Sequence, residues 1–185
     1  MKTAVLVNGV PASGKSTVAR QIAGALNWPL LALDSLKDAL FVHLGTGDRD
    51  HNRLLGRASY QAIFAQIADF PGSSGTIVDA WFGFQPRDVL DAHVQRAAIG
   101  CVAEIWCTAP PETIGARYAA RVCGRSAGHL GLDYVPELIG LAGRASPLGG
   151  FPVFTVDTTA PLALDELVAW LHGVMAQACP QQATR

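Results

Sequence analysis

The sequence predicts a single three-layer α/β domain built on a parallel sheet. Short apolar runs alternate with helical stretches along the whole chain, a glycine-rich turn follows the first run, and no repeat, linker or low-complexity block interrupts the order. Parallel strands covered on both faces read as continuous apolar runs rather than alternating ones. Half of the 185 residues are apolar and 16% are charged, which suits one sizeable core and excludes wholesale disorder.

Ala4–Val7 is the first strand, and Lys15–Leu26 reads as the helix after its turn. Pro29–Leu33 is the second strand, with a short helical piece at Ser35–Val42. His43–Arg53 is polar and rich in breakers, so it reads as a loop ahead of a helix over Leu54–Phe70. Pro71-Gly72-Ser73-Ser74-Gly75 marks a turn. Thr76–Ala80 is the third strand, Pro86–Ala98 a helix and Val102–Cys107 the fourth strand. Pro111 stands where a helix begins, and Glu112–Arg121 continues it. Glycine-rich Gly124–Gly131 follows, then a helix near Val135–Gly143, a fifth strand at Pro152–Val156 and a last helix over Leu162–Ala176. The domain is expected over residues 1–179, with a lid at about 122–134 and a flexible tail at 180–185.

Gly9-Val10-Pro11-Ala12-Ser13-Gly14-Lys15-Ser16 matches G-x-x-x-x-G-K-[ST] without a gap, between a strand and a helix. Glycines let the backbone curl around phosphates so that several N–H groups face one anion, and the helix start adds its positive end. The expected ATP-binding stretch comprises Gly9, Pro11, Ala12, Ser13, Gly14, Lys15, Ser16 and Thr17. Lys15 is expected on the β- and γ-phosphates and the Ser16 hydroxyl on Mg²⁺.

In open parallel sheets the ligand crevice lies at the carboxyl ends of the strands, which places Gly9, Asp34 and Asp79 on one rim. Asp34 is read as closing the second strand, where its carboxylate is a candidate base for an acceptor hydroxyl; helix capping is the plainer role. Asp79 closes the third strand, with Mg²⁺ or substrate as its candidate ligand, or a purely structural place. Trp81, Phe82 and Phe84 follow it, as pocket walls or as core. Arg117, Arg121 and Arg125 recur every four residues on one helix face, where like charges repel unless anions stand nearby. They read as triphosphate-binding and charge-stabilising arginines, or else as a solvated basic face. The glycines around His129 suit a mobile lid, and His129 itself reads as a lid or surface residue. Asp157-Thr158, at the end of the fifth strand, is placed beside the nucleotide by position alone.

These residues resemble the small P-loop kinases of the adenylate-kinase-like group, nearest to chloramphenicol phosphotransferase-like, AAA-type ATP-binding small-molecule kinases. Val7-Asn8-Gly9 through Thr17, Leu33-Asp34-Ser35-Leu36, Ile77-Val78-Asp79-Ala80 with Phe82, and Pro110-Pro111-Glu112 leading to Arg117 and Arg121 carry the resemblance. It implies a P-loop NTPase fold with five parallel strands in the order 2-3-1-4-5. It also implies Asp34 as general base, with Lys15, Arg121 and Arg125 as catalytic cations. Ala32 departs from the pattern, since shikimate-kinase-like members carry a second aspartate there, and residues 43–53 have no counterpart.

The activity so expected moves the γ-phosphate of ATP, with Mg²⁺, to a hydroxyl of a small molecule such as an antibiotic, nucleoside analogue or sugar. A toxin-type kinase acting on a nucleotide sugar and a nucleotide-dependent ATPase or switch module remain as rivals. The net charge of −1 gives no electrostatic reason for a nucleic-acid or membrane partner. Cys101, Cys107, Cys123 and Cys179 lack metal-type spacing and read as thiols of a reducing compartment. A cytoplasmic location is expected, since no apolar stretch approaches the ~20 residues of a membrane span, and oligomeric state is left open.

Overall fold

The computed structural model describes residues 1–125 and 128–178; the expected tail 180–185 and Cys179 lie outside the described residues. The chain order is β1 (Lys2–Asn8), α1 (Lys15–Leu26), β2 (Leu30–Ala32), α2 (Leu33–Leu44), α3 (Arg49–Asp69), β3 (Gly75–Asp79), α4 (Arg87–Arg96), β4 (Ile99–Thr108), α5 (Pro111–Arg121), α6 (Val135–Arg144), β5 (Val153–Asp157) and α7 (Leu164–Ala178). The strands form one five-stranded sheet in the order β2-β3-β1-β4-β5, and every pairing is parallel. No described helix is long and apolar enough to cross a membrane.

Strand β1 is buried along its whole length because it lies between β3 and β4 with helices over both faces. Successive side chains of a strand point to opposite faces. Ala4 and Leu6 accordingly join Tyr60, Ile63, Phe64 and Val78, the core under α3. Val5 and Val7 join Val18, Ile22, Leu167 and Leu171, the core under α1 and α7. A third cluster, Val10, Ile114, Tyr118 and Leu138, seats α5 and α6 against the turn after β1.

Two elements depart from the sequence reading. Strand β2 is only Leu30–Ala32, so Asp34 stands in the first turn of α2 rather than at a strand end. Its backbone is helical, Ala32 occupies the cap position, and no side chain caps the helix. The presumed loop 43–53 is mostly helix. α2 runs on to Leu44, and α3 begins at Arg49, where the Asp48 carboxylate accepts from the Asp50 and His51 amides at 3.1 and 2.9 Å. An aspartate at the cap satisfies amides that the helix leaves unpaired, which lets a polar stretch start a helix.

At the mouth of the sheet a buried hub sets where the turns begin. Asn8 Oδ1 accepts from the amides of Gly9 at 2.8 Å and Phe82 at 3.1 Å. Asn8 Nδ2 donates to Glu104 Oε1 at 2.7 Å, and the Leu148 amide donates to both Glu104 oxygens at 3.1 and 2.9 Å. Burial pushes the Glu104 pKa up, while the bonds from Asn8 and Leu148 pull it back. Asn8→Ala leaves two amides and a carboxylate short of a partner, which costs about 1–3 kcal/mol per group left unsatisfied. A urea unfolding series reads this as a lower midpoint at unchanged slope, and an unchanged midpoint would discard the hub.

Candidate active site

The turn Gly9–Gly14 is bent so that its first and last positions admit only glycine. Gly9 has φ +150°, and a Cβ there would lie 2.4 Å from Ser13 Oγ and 2.5 Å from the Cys107 carbonyl oxygen. Gly14 has φ +90°, and a Cβ there would lie 2.9 Å from Thr158 Cβ. Ala12, at φ 67°, takes the left-handed conformation that non-glycine residues seldom adopt. Helix α1 starts at Lys15, so its unpaired amides face the turn.

Two adjoining cavities open at this turn. The smaller, about 290 Å³, is lined by Gly14, Lys15, Ser16, Thr17, Asp34 and Asp79, with Arg20 and Arg121 among the remainder. The larger, about 590 Å³, shares Lys15, Ser16, Asp34, Asp79 and Arg121 and extends to Trp81, Phe84 and Tyr134. Of the predicted P-loop residues, Pro11, Ala12, Gly14, Lys15, Ser16 and Thr17 line these cavities with both aspartates and Arg121, whereas Gly9 and Ser13 line neither.

Their environments separate the two carboxylates. Burial among protein atoms pushes the Asp34 pKa up, yet the charges of Lys15, Lys37 and Arg125 lead those that hold it below the ordinary value. The Asp34 side chain is 54% exposed to the cleft, so it keeps water contact while surrounded by cations. Asp79 is 6% exposed, and burial raises its pKa against the pull of Lys15 and the Ser16 hydroxyl. Asp79 Oδ1 is buried without a hydrogen-bond partner.

Residues 5–128, more than half of the sequence, match the family model described as AAA domain. The chain belongs to the AAA domain family. A structure described as a candidate kinase from Chloroflexus aurantiacus J-10-fl is 26% identical, with TM-score 0.79, covering 94% of this chain and 98% of that one. A gluconokinase from Sinorhizobium meliloti 1021 shares the fold at 23% identity and TM-score 0.57, covering 96% of this chain and 93% of that one. A sugar kinase from Janibacter sp. HTCC2649 does so at 18% identity and TM-score 0.54, covering 100% of this chain and 98% of that one. No curated protein matches the sequence.

Other predicted residues of this AAA domain take different places. Phe82 is 2% exposed and packs in the core against Tyr60, so only Trp81 and Phe84 of the aromatic trio wall the cavity. Arg117 is a brace: its guanidinium donates to the Thr158 hydroxyl at 2.8 Å and carbonyl at 2.9 Å. The Thr158 hydroxyl in turn lies 2.7 Å from the Ser13 carbonyl and 3.1 Å from that of Thr108, tying β4 and β5 to the P-loop. Asp157 accepts from the amide and hydroxyl of Thr159, which hold its pKa down. Arg117 and Asp157 line neither cavity.

The segment expected as a lid is tied to α2 by side-chain bonds. Arg125 donates to Asp34 Oδ2 at 3.1 Å and stands 2.9 Å from His129 Nδ1, while His129 Nε2 stands 2.8 Å from Asp38 Oδ1. A donating guanidinium requires an unprotonated Nδ1, so the histidine is neutral with its proton on Nε2. Asn52 Nδ2 donates to the Gly128 carbonyl, and Tyr118 Oη donates to that of Leu130 at 2.8 Å. Gly128 lies so close to Phe41 that a Cβ would fall 2.3 Å from Cζ.

The sequence reading passed over Lys37, Arg49, Arg53, Arg57 and Arg144, all of which line the larger cavity. Arg49, Arg53 and Arg57 repeat every four residues like the lid arginines, a signal masked by reading 43–53 as a loop.

Burial first, then Arg125 and Lys37, lower the His129 pKa, while Asp38 and Asp34 oppose them. A lowered value means the fastened lid favours neutral histidine. The fastening is fully present above the ordinary value near 6.5 and is lost as pH falls from there through the lowered value. Hydrogen-exchange protection factors of residues 128–130 should decline over that window, and His129→Gln should flatten the decline. Equal pH dependence in both proteins would remove His129 from the fastening.

Proposed function

We propose that this protein is a small-molecule kinase, moving the γ-phosphoryl group of ATP to a hydroxyl of its acceptor. The observation that carries the reading is the convergence of a P-loop lysine, two carboxylates in opposite electrostatic settings and Arg121 on adjoining cavities. The kinase descriptions of the structural neighbours support the same class of activity.

Lys15, the turn amides and the α1 N-terminus hold the triphosphate. Ser16 and Asp79 fit Mg²⁺, because a hard divalent cation takes hydroxyl and carboxylate oxygens and Asp79 Oδ1 is buried with no other partner. Among the described residues no group of three His, Cys, Asp or Glu side chains could hold a metal, so phosphate and water oxygens would complete its shell. Mg·ATP, when bound, supplies the transferable phosphoryl group and neutralises part of its charge.

The rest falls to this chain's side chains. Asp34 orients the acceptor hydroxyl and takes its proton as the oxygen turns nucleophilic. Its lowered pKa keeps it ionised and able to accept. Arg121 stands among like charges, and burial, Arg125 and Arg117 all disfavour its charged form. An anion in the adjoining cavity relieves that conflict, so Arg121 and the lid's Arg125 are placed to steady charge on the transferred group. The fastened lid excludes water and limits hydrolysis.

Asp34→Asn should lower kcat for ADP release with acceptor by about 10²–10⁴-fold while leaving Mg·ATP binding by calorimetry within a few-fold. Lys15→Ala should abolish the binding heat itself. Full turnover in Asp34→Asn would refute the base assignment, and full ATP turnover without any acceptor would favour an ATPase module.

A further inference from the structure

The wall of the larger cavity away from the P-loop is built from cations. Lys37, Arg49, Arg53, Arg57 and Arg144 line it against one carboxylate, Glu137. Arg49, Arg53 and Arg57 stand on one stripe of α3, since residues four apart share a helix face. Like charges at that spacing weaken a helix by about 0.2–0.5 kcal/mol per pair, so fold stability does not favour the stripe.

Protein acids answer only part of this charge. Arg49 pairs with Glu137 at 2.5 Å, and Arg53 reaches Asp50 at 3.3 Å through a pair exposed to solvent. Among the described residues neither Arg57 nor Arg144 forms an ion pair. Lys37, which lines the larger cavity, is 8% exposed, and burial lowers its pKa. Its nearest polar partner is Asn52 Oδ1, at a long 3.4 Å.

The same wall has room and flat surface. Gly56 sits inside α3, where glycine costs about 1 kcal/mol relative to alanine. A Cβ there would meet only Phe84 Cε2, at 4.0 Å, so packing does not demand the glycine, which lines the larger cavity. Trp81, Phe84 and Tyr134 offer faces for a carbon skeleton.

We propose that the acceptor is a small polyhydroxy compound carrying an anionic group, a carboxylate or phosphate ester, which Arg53, Arg57 and Arg144 hold while its hydroxyl faces Asp34. This rests on the phosphotransferase reading for the hydroxyl's fate but not for the anion's seat. Guanidinium groups match both anions through paired N–H donors. The anion's position at α3 and α6 leaves the far end of the molecule toward the P-loop.

Calorimetry in the presence of Mg²⁺ and a non-hydrolysable ATP analogue tests the seat with D-gluconate, D-glucose 6-phosphate and neutral D-glucose. At least one anionic probe should bind about tenfold or more tightly than glucose. Arg57→Gln and Arg53→Gln should each weaken the anion about tenfold without moving the nucleotide affinity more than twofold. Both side chains are exposed, so neither change disturbs the core. The carboxylate and phosphate arms distinguish the two sources of the anion. Glucose binding as tightly as both anions, no anion binding at all, or unchanged anion affinity in both variants would each overturn the proposal. ADP release is read separately with the same compounds. Anion binding without ADP release would sink the kinase reading and leave the seat standing. Turnover of glucose with no anion binding would do the reverse.

Discussion

A six-residue turn whose two end positions leave no room for a side chain governs the placement of the site in this molecule. Its first glycine is hemmed in by Ser13 and the Cys107 carbonyl, its last by Thr158. Such a turn does not hold itself, because few of its backbone groups find partners within it. Asn8 anchors its start to β4 and to the segment after β3, and Thr158 braces its end from β5. Arg117 then locks Thr158 to α5. Three strand ends distant in sequence meet at one turn, which is why β1 must occupy the middle of the sheet.

Converging amides and a helix N-terminus make that turn a positive pole, and Lys15, Lys37, Arg121 and Arg125 stand around it. Two carboxylates live in this field with opposite outcomes. Asp34, open to cleft water, gains more from the cations than it loses by burial. Asp79, shut in at the end of β3, is dominated by burial. Neighbouring acids whose environments drive them apart are suited to different tasks. The first is kept ionised, which suits the base role proposed for it, and the second has an unpartnered oxygen that a divalent cation would satisfy.

Much of this was legible in the residues, and the failures have physical causes. The apolar run Ala4–Val7 marked the central strand because both its faces are buried, and the motif from Gly9 to Ser16 located the site. Phe82 was indistinguishable from its neighbours, since the side of the chain on which an aromatic falls after a strand depends on the turn geometry. Arg117 shares a helix face with Arg121, but the threonine it binds comes from β5, and such pairing leaves no trace in local spacing. The start of α3 was hidden because Asp48 supplies by side chain what propensity does not. That one missed cap concealed the stripe of arginines and, with it, the charge along the larger cavity.

The lid's fastening is weak by design of its parts. The Arg125–Asp34 pair joins side chains 24% and 54% exposed, and ion pairs of that kind are worth about 0–1 kcal/mol. The remaining ties to α2, α3 and α5 are a few hydrogen bonds, each netting about 1 kcal/mol. A sum this small is slight beside the sheet, whose central strand β1 is buried along its whole length. Under the proposed function it would also make Arg125 exchangeable, since a multiply charged phosphate offers a guanidinium more than one carboxylate can. On the phosphotransferase reading proposed above, the contact that covers Asp34 is therefore the one whose loss would expose it to the acceptor.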